Sequence, residues 1–455
     1  MQTSSEVRRY WLPPRVVGAD LEVPLITGGT AAYANLDHAA SAPCLEKVAL
    51  AVNELLPWYA SVHRGAGLAS TVCTGIYEDS RDVVRRFAGA ETDAAVVYTR
   101  NTTDAMNLLA HAVPAGTAVL CFGSDHHAAL LPWRDARLLP MPESPEDALV
   151  LLDDALSGCP AGHRLVVLTG VSNVTGEVWP VAELAAAARR HGARTVLDAA
   201  QLAAHLPLRM AEWGIDWAAL SGHKIYAPFG AGALVGRGDW LQKADPYLAG
   251  GGAASLVGEV AGRLAVDWHN VPERHEAGTP NVVGVHALAV ACEVLSGCGW
   301  AEVAAHEEAL LKRLRSGLDA IPGVRLLSMW GPAGRSVGAT SLIVDGTDAA
   351  LLAAVLSAEH GIGVRAGAFC ARPATRALVR AAGAGPEGNA LRASIGLGTT
   401  PAHVDRLIAA IGSIVRTGPQ RKFEAVDGAW FPVPDPRPPI GIAHGRMAER
   451  AAALR

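Results

Sequence analysis

The chain is poor in cysteine and in charge and lacks long apolar runs, and each shortage excludes something. Its 455 residues include 7 cysteines, at positions 44, 73, 121, 159, 292, 298 and 370, odd in number and scattered. No CxxC pair occurs. Neither a zinc site nor a disulfide framework is indicated, and the expected setting is the reducing cytoplasm. Charged residues make up 18% and the net charge is -5, which gives no reason to expect nucleic acid or an anionic membrane as a partner. No apolar run approaches the ~18 residues that a membrane span needs. The opening MQTSSEVRRYWLPP lacks the continuous apolar stretch of a secretory signal. No internal repeat is visible.

Half of the residues are apolar, many of them alanine, so core material is ample. The length predicts one large domain and a smaller one. Strand and helix patterns alternate from about 90 to 240, which predicts an α/β fold with a parallel sheet flanked by helices on both faces. Beyond 240 the pattern changes. A Gly250-Gly251-Gly252 turn and a polar loop, RHEAGTPN, lead to a long helix from 282 to about 318. Short strands (TSLIVDG, LRASIGLGTT) and helices near 348–359 and 402–415 then predict a smaller α+β unit. The expected division is an N-terminal arm over 1–32, a large domain over 33–285, a small domain over 286–417 and an extension over 418–455. That extension is Pro-rich and then basic and helical in pattern.

The chemistry gathers at strand ends. ALSGHKIYAPFGAGALVG (219–236) reads as a buried strand closing on Ser221, Gly222, His223 and Lys224. A lysine there is either solvated or desolvated; desolvation lowers its pKa and makes the amine a nucleophile. A hydroxyl and an imidazole beside it suit a Schiff base to an aldehyde cofactor that carries a phosphate. In VVYTRNTTDAMN, Thr102 and Thr103 follow a strand and open a helix, where unpaired amides make a phosphate site or where a threonine simply caps. TAVLCFGSDHHAALLPW ends on Asp125-His126-His127, with no third ligand at metal spacing; a flat imidazole there can stack on an aromatic ring. RLVVLTGVSNVTG places Asn173 after another strand. ARTVLDAAQ ends on Asp198, with Gln201 one turn on, and a carboxylate in that position needs a cation, a proton donor or a capping role. In YANLDHAASAP, Asp37 and His38 are either caps or an active-site edge. In parallel sheets ligands collect beyond the carboxyl ends of the strands, so Thr102, His126, Asn173, Asp198 and Lys224 are predicted to converge on one rim.

Read together in order, NLDHAA, SVHRG, NTTDAMN, DHHA, VSNVTG, LDAAQ, SGHK, GGG, EAGTPN, VRAGAFC and LRAS make the chain resemble the class V aminotransferase group, most closely the cysteine desulfurase and selenocysteine lyase family. The likeness runs from about 33 to 415. It implies the fold of type I pyridoxal 5′-phosphate enzymes, with that cofactor held as a Schiff base on Lys224. By the same resemblance Asp198 holds the pyridinium proton and His126 stacks on the ring. Asn173 and Gln201 contact the ring oxygen. Thr102, Thr103, Ser221 and His223 hold the phosphate. Thr279 reaches a second subunit's phosphate in a homodimer. Arg392, with Arg365, His38 and Asn173 beside it, meets the substrate carboxylate. Cys370 falls where the family keeps a sulfur-accepting thiol. Two departures are visible: Ala368 and Phe369 precede Cys370 where relatives often have histidines, and Gly398-Thr399-Thr400 follows the arginine strand. The implied reaction is cleavage of the C–S bond of L-cysteine or of an S-conjugated cysteine. Another class V reaction on an amino acid, such as transamination, epimerisation or decarboxylating deamination, is the alternative. A sulfur acceptor protein is a further implied partner.

Overall fold

The computed structural model describes residues 11–331, 334–383 and 388–438. Strands β1 (Ala95–Thr99), β2 (Ala118–Phe122), β3 (Arg137–Leu139), β4 (Arg164–Thr169), β5 (Arg194–Asp198), β6 (Trp217–Ser221) and β7 (Gly232–Gly236) form one sheet, in the order β1-β7-β6-β5-β4-β2-β3. The pairs among β2, β3, β4, β5 and β6 are parallel. β7 runs antiparallel to both of its neighbours, so the sheet is mostly parallel, as the type I fold implied by the resemblance is. Residues 222–231 alone link β6 to β7, and a parallel return needs a crossover of a dozen residues or more.

Successive residues along the strands enter opposite cores. Val96, Leu120, Val166 and Leu197 pack on one side with Val84, Leu184 and Leu288. Val97, Cys121, Val167 and Val196 pack on the other with Met106, Leu109 and Trp240. Burial on both faces explains the continuous apolar runs of these strands. The flanking helices include α1 (Leu68–Phe87), α2 (Thr102–Ala112) and α3 (Val181–Arg190).

The expected long helix from 282 is two helices, α4 (Val282–Gly297) and α5 (Trp300–Asp319), bent by 86°. Gly299, at φ 81°, takes a left-handed conformation between them that a helix interior cannot hold. Among the described residues no single helix is long and apolar enough to cross a membrane.

A second sheet of β10 (Val324–Leu327), β11 (Ala339–Val344), β12 (Arg365–Gly367) and β13 (Ala390–Ser394) is antiparallel, in the order β10-β11-β13-β12. With α5, α6 (Ala349–His360) and α8 (Pro401–Thr417) it encloses its own core, which Ala34 and Leu36 also enter. α7 (Arg372–Ala381) follows the loop that carries Cys370.

Three hairpins were not foreseen, the first pairing Glu22–Pro24 with Thr30–Ala32 in the expected N-terminal arm. β8 (Ala254–Val260) and β9 (Arg263–Trp268) pair across an Ala261-Gly262 turn, both residues at positive φ, and their side chains are largely exposed. β14 (Phe423–Val426) and β15 (Ala429–Pro432) pair across Asp427-Gly428, also both at positive φ. The basic, helical pattern expected at the end of the chain lies outside the described residues.

Candidate active site

Ser221 closes β6, and a single 3-10 turn over Gly222–Lys224 follows. A Cβ on Gly222 would stand 2.6 Å from the Ala231 carbonyl oxygen and 3.0 Å from that of Ala227, so only glycine lets the chain double back there. Tyr226, at φ 68°, completes the bend, and its hydroxyl accepts the Leu397 N–H at 2.9 Å. The bend turns Lys224 into a cavity of about 240 Å³ beyond the ends of β1, β2, β4 and β5.

Thr102, His126, Asn173, Asp198 and Lys224, the five strand-end groups predicted to converge, all line this cavity. Burial pulls the Lys224 amine down to about 8; the Asp198 charge opposes that shift and the Arg392 charge adds to it. Asp198 is 8% exposed, and one of its oxygens accepts the Ala200 N–H at 3.0 Å. Burial raises its carboxyl, and the Lys224 charge works against that rise. A carboxyl so placed favours a cationic or protonated partner, which is what a pyridinium nitrogen offers.

The cap of α2 is Asn101 rather than a threonine: its side chain accepts the Asp104 N–H at 3.1 Å. Thr102 and Thr103 are therefore the first helical residues, where amides lack internal partners. The Thr102 hydroxyl is buried and has no hydrogen-bond partner among the described residues. The Thr102 N–H donates to the Ser221 hydroxyl at 3.4 Å. With Thr103, Ser221 and His223 lining the same wall, an orphan hydroxyl and a helix N-terminus fit a phosphate.

His126 caps the short helix that starts at His127, its Nδ1 accepting the Ala128 N–H at 3.0 Å. Burial, reinforced by the Lys224 charge, drops its pKa to about 3, so the ring is a neutral imidazole. Burial likewise lowers His223.

Arg392 on β13 is 2% exposed and also reaches the cavity. Its Nη1 donates to the Asn173 carbonyl at 2.8 Å, and the Phe369 ring lies 4.9 Å from its guanidinium carbon. Arg365 faces it from β12, the two being register partners. Phe369 and Cys370 have φ of 52° and 54°, two successive non-glycine residues in the left-handed region. Such strain persists only where surroundings impose it. Here the Asn173 amide donates to the Phe369 carbonyl at 2.7 Å and the His127 N–H to the Cys370 carbonyl at 2.7 Å. The Phe369 side chain is thereby buried, and the Cys370 thiol stays exposed at the cavity edge.

Two residues expected in the site, Gln201 and His38, do not line this cavity, and Thr279, expected at a second subunit's phosphate, lies apart from it. Gln201 donates to the carbonyl of Ala39, which does line it. His38 turns away: it is 5% exposed, edge-on to Tyr226 with ring centroids 6.2 Å apart, and burial drops its pKa to about 3. Thr279 lines a separate cavity with Ser61, His63, Arg64, Tyr77 and Glu276. Asn101, Ala39, Ala40 and Ala200 line the site without having been foreseen. For Asn101 the signal was present, since an asparagine followed three residues later by Asp104 marks a helix start.

A model of the class V aminotransferase family matches residues 34–407. The chain is 37% identical over 352 residues to a probable cysteine desulfurase of Aeropyrum pernix, covering 74% of this chain and 84% of that one. It is 34% identical over 403 residues to a cysteine desulfurase of Klebsiella pneumoniae, covering 86% and 94%. Among solved structures, the apo cysteine desulfurase of Thermococcus onnurineus superposes with a TM-score of 0.74 at 30% identity, over 84% of this chain and 95% of that one. A cysteine desulfurase of Escherichia coli gives 0.72 at 29%, with the same coverage.

Proposed function

The chain belongs to the class V aminotransferase family, and from that premise we propose that it is a pyridoxal 5′-phosphate-dependent enzyme that cleaves the C–S bond of L-cysteine, as a cysteine desulfurase does. The observation that carries this reading is one cavity joining Lys224, Asp198 and His126 to Arg392 and Cys370.

When bound, the cofactor supplies an electron sink for the substrate's α-carbon. Lys224 would hold the cofactor through its aldehyde carbon and would serve as the base that moves protons at the substrate; its lowered pKa leaves much of the amine neutral near pH 8. Asp198 would keep the pyridine nitrogen protonated, and the neutral His126 imidazole would cover the ring. Asn173, one amide hydrogen of which is held by the Phe369 carbonyl, would donate its second to the ring oxygen, and Gln201 would support that wall through the Ala39 carbonyl. Thr102, Thr103, Ser221 and His223 hold the phosphate. Arg392, assisted by Arg365, takes the substrate carboxylate as a fork. The Cys370 thiolate attacks the substrate sulfur: the S–S bond forms as the C–S bond breaks, and the electron pair stays with the carbon fragment, which takes up a proton and leaves as L-alanine. The persulfide on Cys370 then passes to an acceptor.

We place Thr279 on the phosphate of a second subunit. Its position in a separate cavity beside Arg64, and the exposed apolar hairpin of β8 and β9, support a homodimer. The testing experiment is Lys224→Ala. The purified wild type is expected to be yellow and to release sulfide from L-cysteine with a reductant present. The variant is expected to lose covalent cofactor and on the order of 10³-fold in rate. A colourless wild type that takes up no cofactor would overturn the reading.

A further inference from the structure

We propose that Asp37 is a positioning residue for the substrate carboxylate, holding the Arg392 guanidinium in the orientation that leaves its Nε edge free. The inference rests on the reading that Arg392 takes that carboxylate.

Arg392 has three fixed neighbours. Its Nη1 donates to the Asn173 carbonyl, the Phe369 ring covers one face, and its Nη2 donates to Asp37 Oδ1 at 3.1 Å. Its Nε is buried and has no hydrogen-bond partner among the described residues. An unmade bond on a buried charged group is costly, and a ligand that supplies the missing acceptor recovers that cost. Nε and the second hydrogen of Nη2 share one edge of the guanidinium, the edge a carboxylate grips with both oxygens. A carboxylate approaching there completes the set of partners without displacing Asp37.

Asp37 is itself anchored by backbone. Its N–H donates to Asn35 Oδ1 at 3.1 Å, it bridges to Ser394 on β13, and the Ser394 N–H donates to the Leu36 carbonyl at 2.7 Å. The carboxylate therefore rides on the same sheet as the arginine it orients. Its Oδ2 also lies 3.6 Å from Arg365 Nη1, so one acidic group stands between two guanidiniums. Of the neighbours Asp37 and His38, the histidine is turned into the protein and only the aspartate reaches these arginines.

The test uses the holoenzyme and three proteins, wild type, Asp37→Asn and Asp37→Ala, with two substrates, L-cysteine and L-cysteine methyl ester. The alanine variant should raise KM for L-cysteine at least ~10-fold while kcat stays within ~3-fold. The asparagine variant, which keeps an acceptor oxygen, should return KM to within ~3-fold of wild type. The methyl ester has no carboxylate, so its KM should be the same for all three proteins. The dissociation constant of L-alanine, read from the visible spectrum, should follow the L-cysteine KM. A loss shared equally by both substrates, or an unchanged KM and alanine affinity, would overturn the proposal. A wild type that binds L-alanine but consumes no L-cysteine overturns the desulfurase reading instead, and the alanine affinities still decide the role of Asp37.

Discussion

At the Lys224 amine, burial and charge pull in opposite directions, and burial wins. The amine titrates at about 8 against an ordinary 10.5, with Asp198 pulling upward and Arg392 downward. Only the neutral amine attacks an aldehyde, and it accumulates above the pKa. Uptake of cofactor by the apoprotein should accordingly rise with pH through about 8 and then level off; a rate still climbing toward pH 10 would contradict the lowered value. The sequence left this lysine either solvated or desolvated, with Ser221 and His223 beside it suiting a Schiff base; its burial decides for the desolvated reading. The convergence of Thr102, His126, Asn173 and Asp198 was legible because parallel strands deliver their carboxyl ends to one rim. The facing direction of His38 was not, since adjacent residues on an irregular segment share no periodicity. The pairing of Asp37 with Arg392 joins residues 355 positions apart and leaves no trace in local pattern.

Among the elements, α1 and the loop before α4 are tied by one buried group. Glu276 accepts both Arg81 Nη groups at 2.9 and 2.7 Å, the Tyr77 hydroxyl at 2.8 Å and the Tyr98 N–H on β1 at 2.6 Å. Arg81 and Glu276 side chains are 7% and 6% exposed. Glu276→Ala removes the arginine's buried carboxylate partner and should destabilise by about 3 kcal/mol, the low end of the range because Glu78 and the Val96 carbonyl remain partners. Thermal unfolding should then fall by about 3 °C, since a chain of 455 residues has an unfolding entropy of about 1 kcal/mol/K. No measurable fall would show that the network is not structural. Element boundaries followed where caps and periodicity agreed, as at Thr400 before α8. They failed at the α4–α5 bend, where the apolar pattern runs on and only Gly297 and Gly299 signal the break. They failed also at Asp427-Gly428, a turn signal hidden because the prolines that follow drew the reading toward an irregular tail.

For the whole molecule, the exposed apolar surface of the β8–β9 hairpin is where the proposed second subunit is tested. Leu256 and Leu264 on the β8–β9 hairpin are 63% and 78% exposed, an arrangement that a lone chain leaves wet. Sedimentation should give twice the chain mass of 47.2 kDa, and aspartate at Leu264 should shift the protein toward the single-chain mass; a wild type that sediments at the single-chain mass would contradict the homodimer. The fold class was readable because alternation of strand and helix leaves few architectures, while the antiparallel seventh strand depends on one short connection. The central claim is that Lys224 and Cys370 act on one substrate in one cavity. The most direct measurement is mass spectrometry of the protein and products after L-cysteine is added, for the wild type and Cys370→Ala. The account predicts L-alanine and a wild-type protein heavier by one sulfur atom at Cys370, both lost in the variant. Pyruvate, ammonia and free sulfide, formed equally by both proteins, would contradict it.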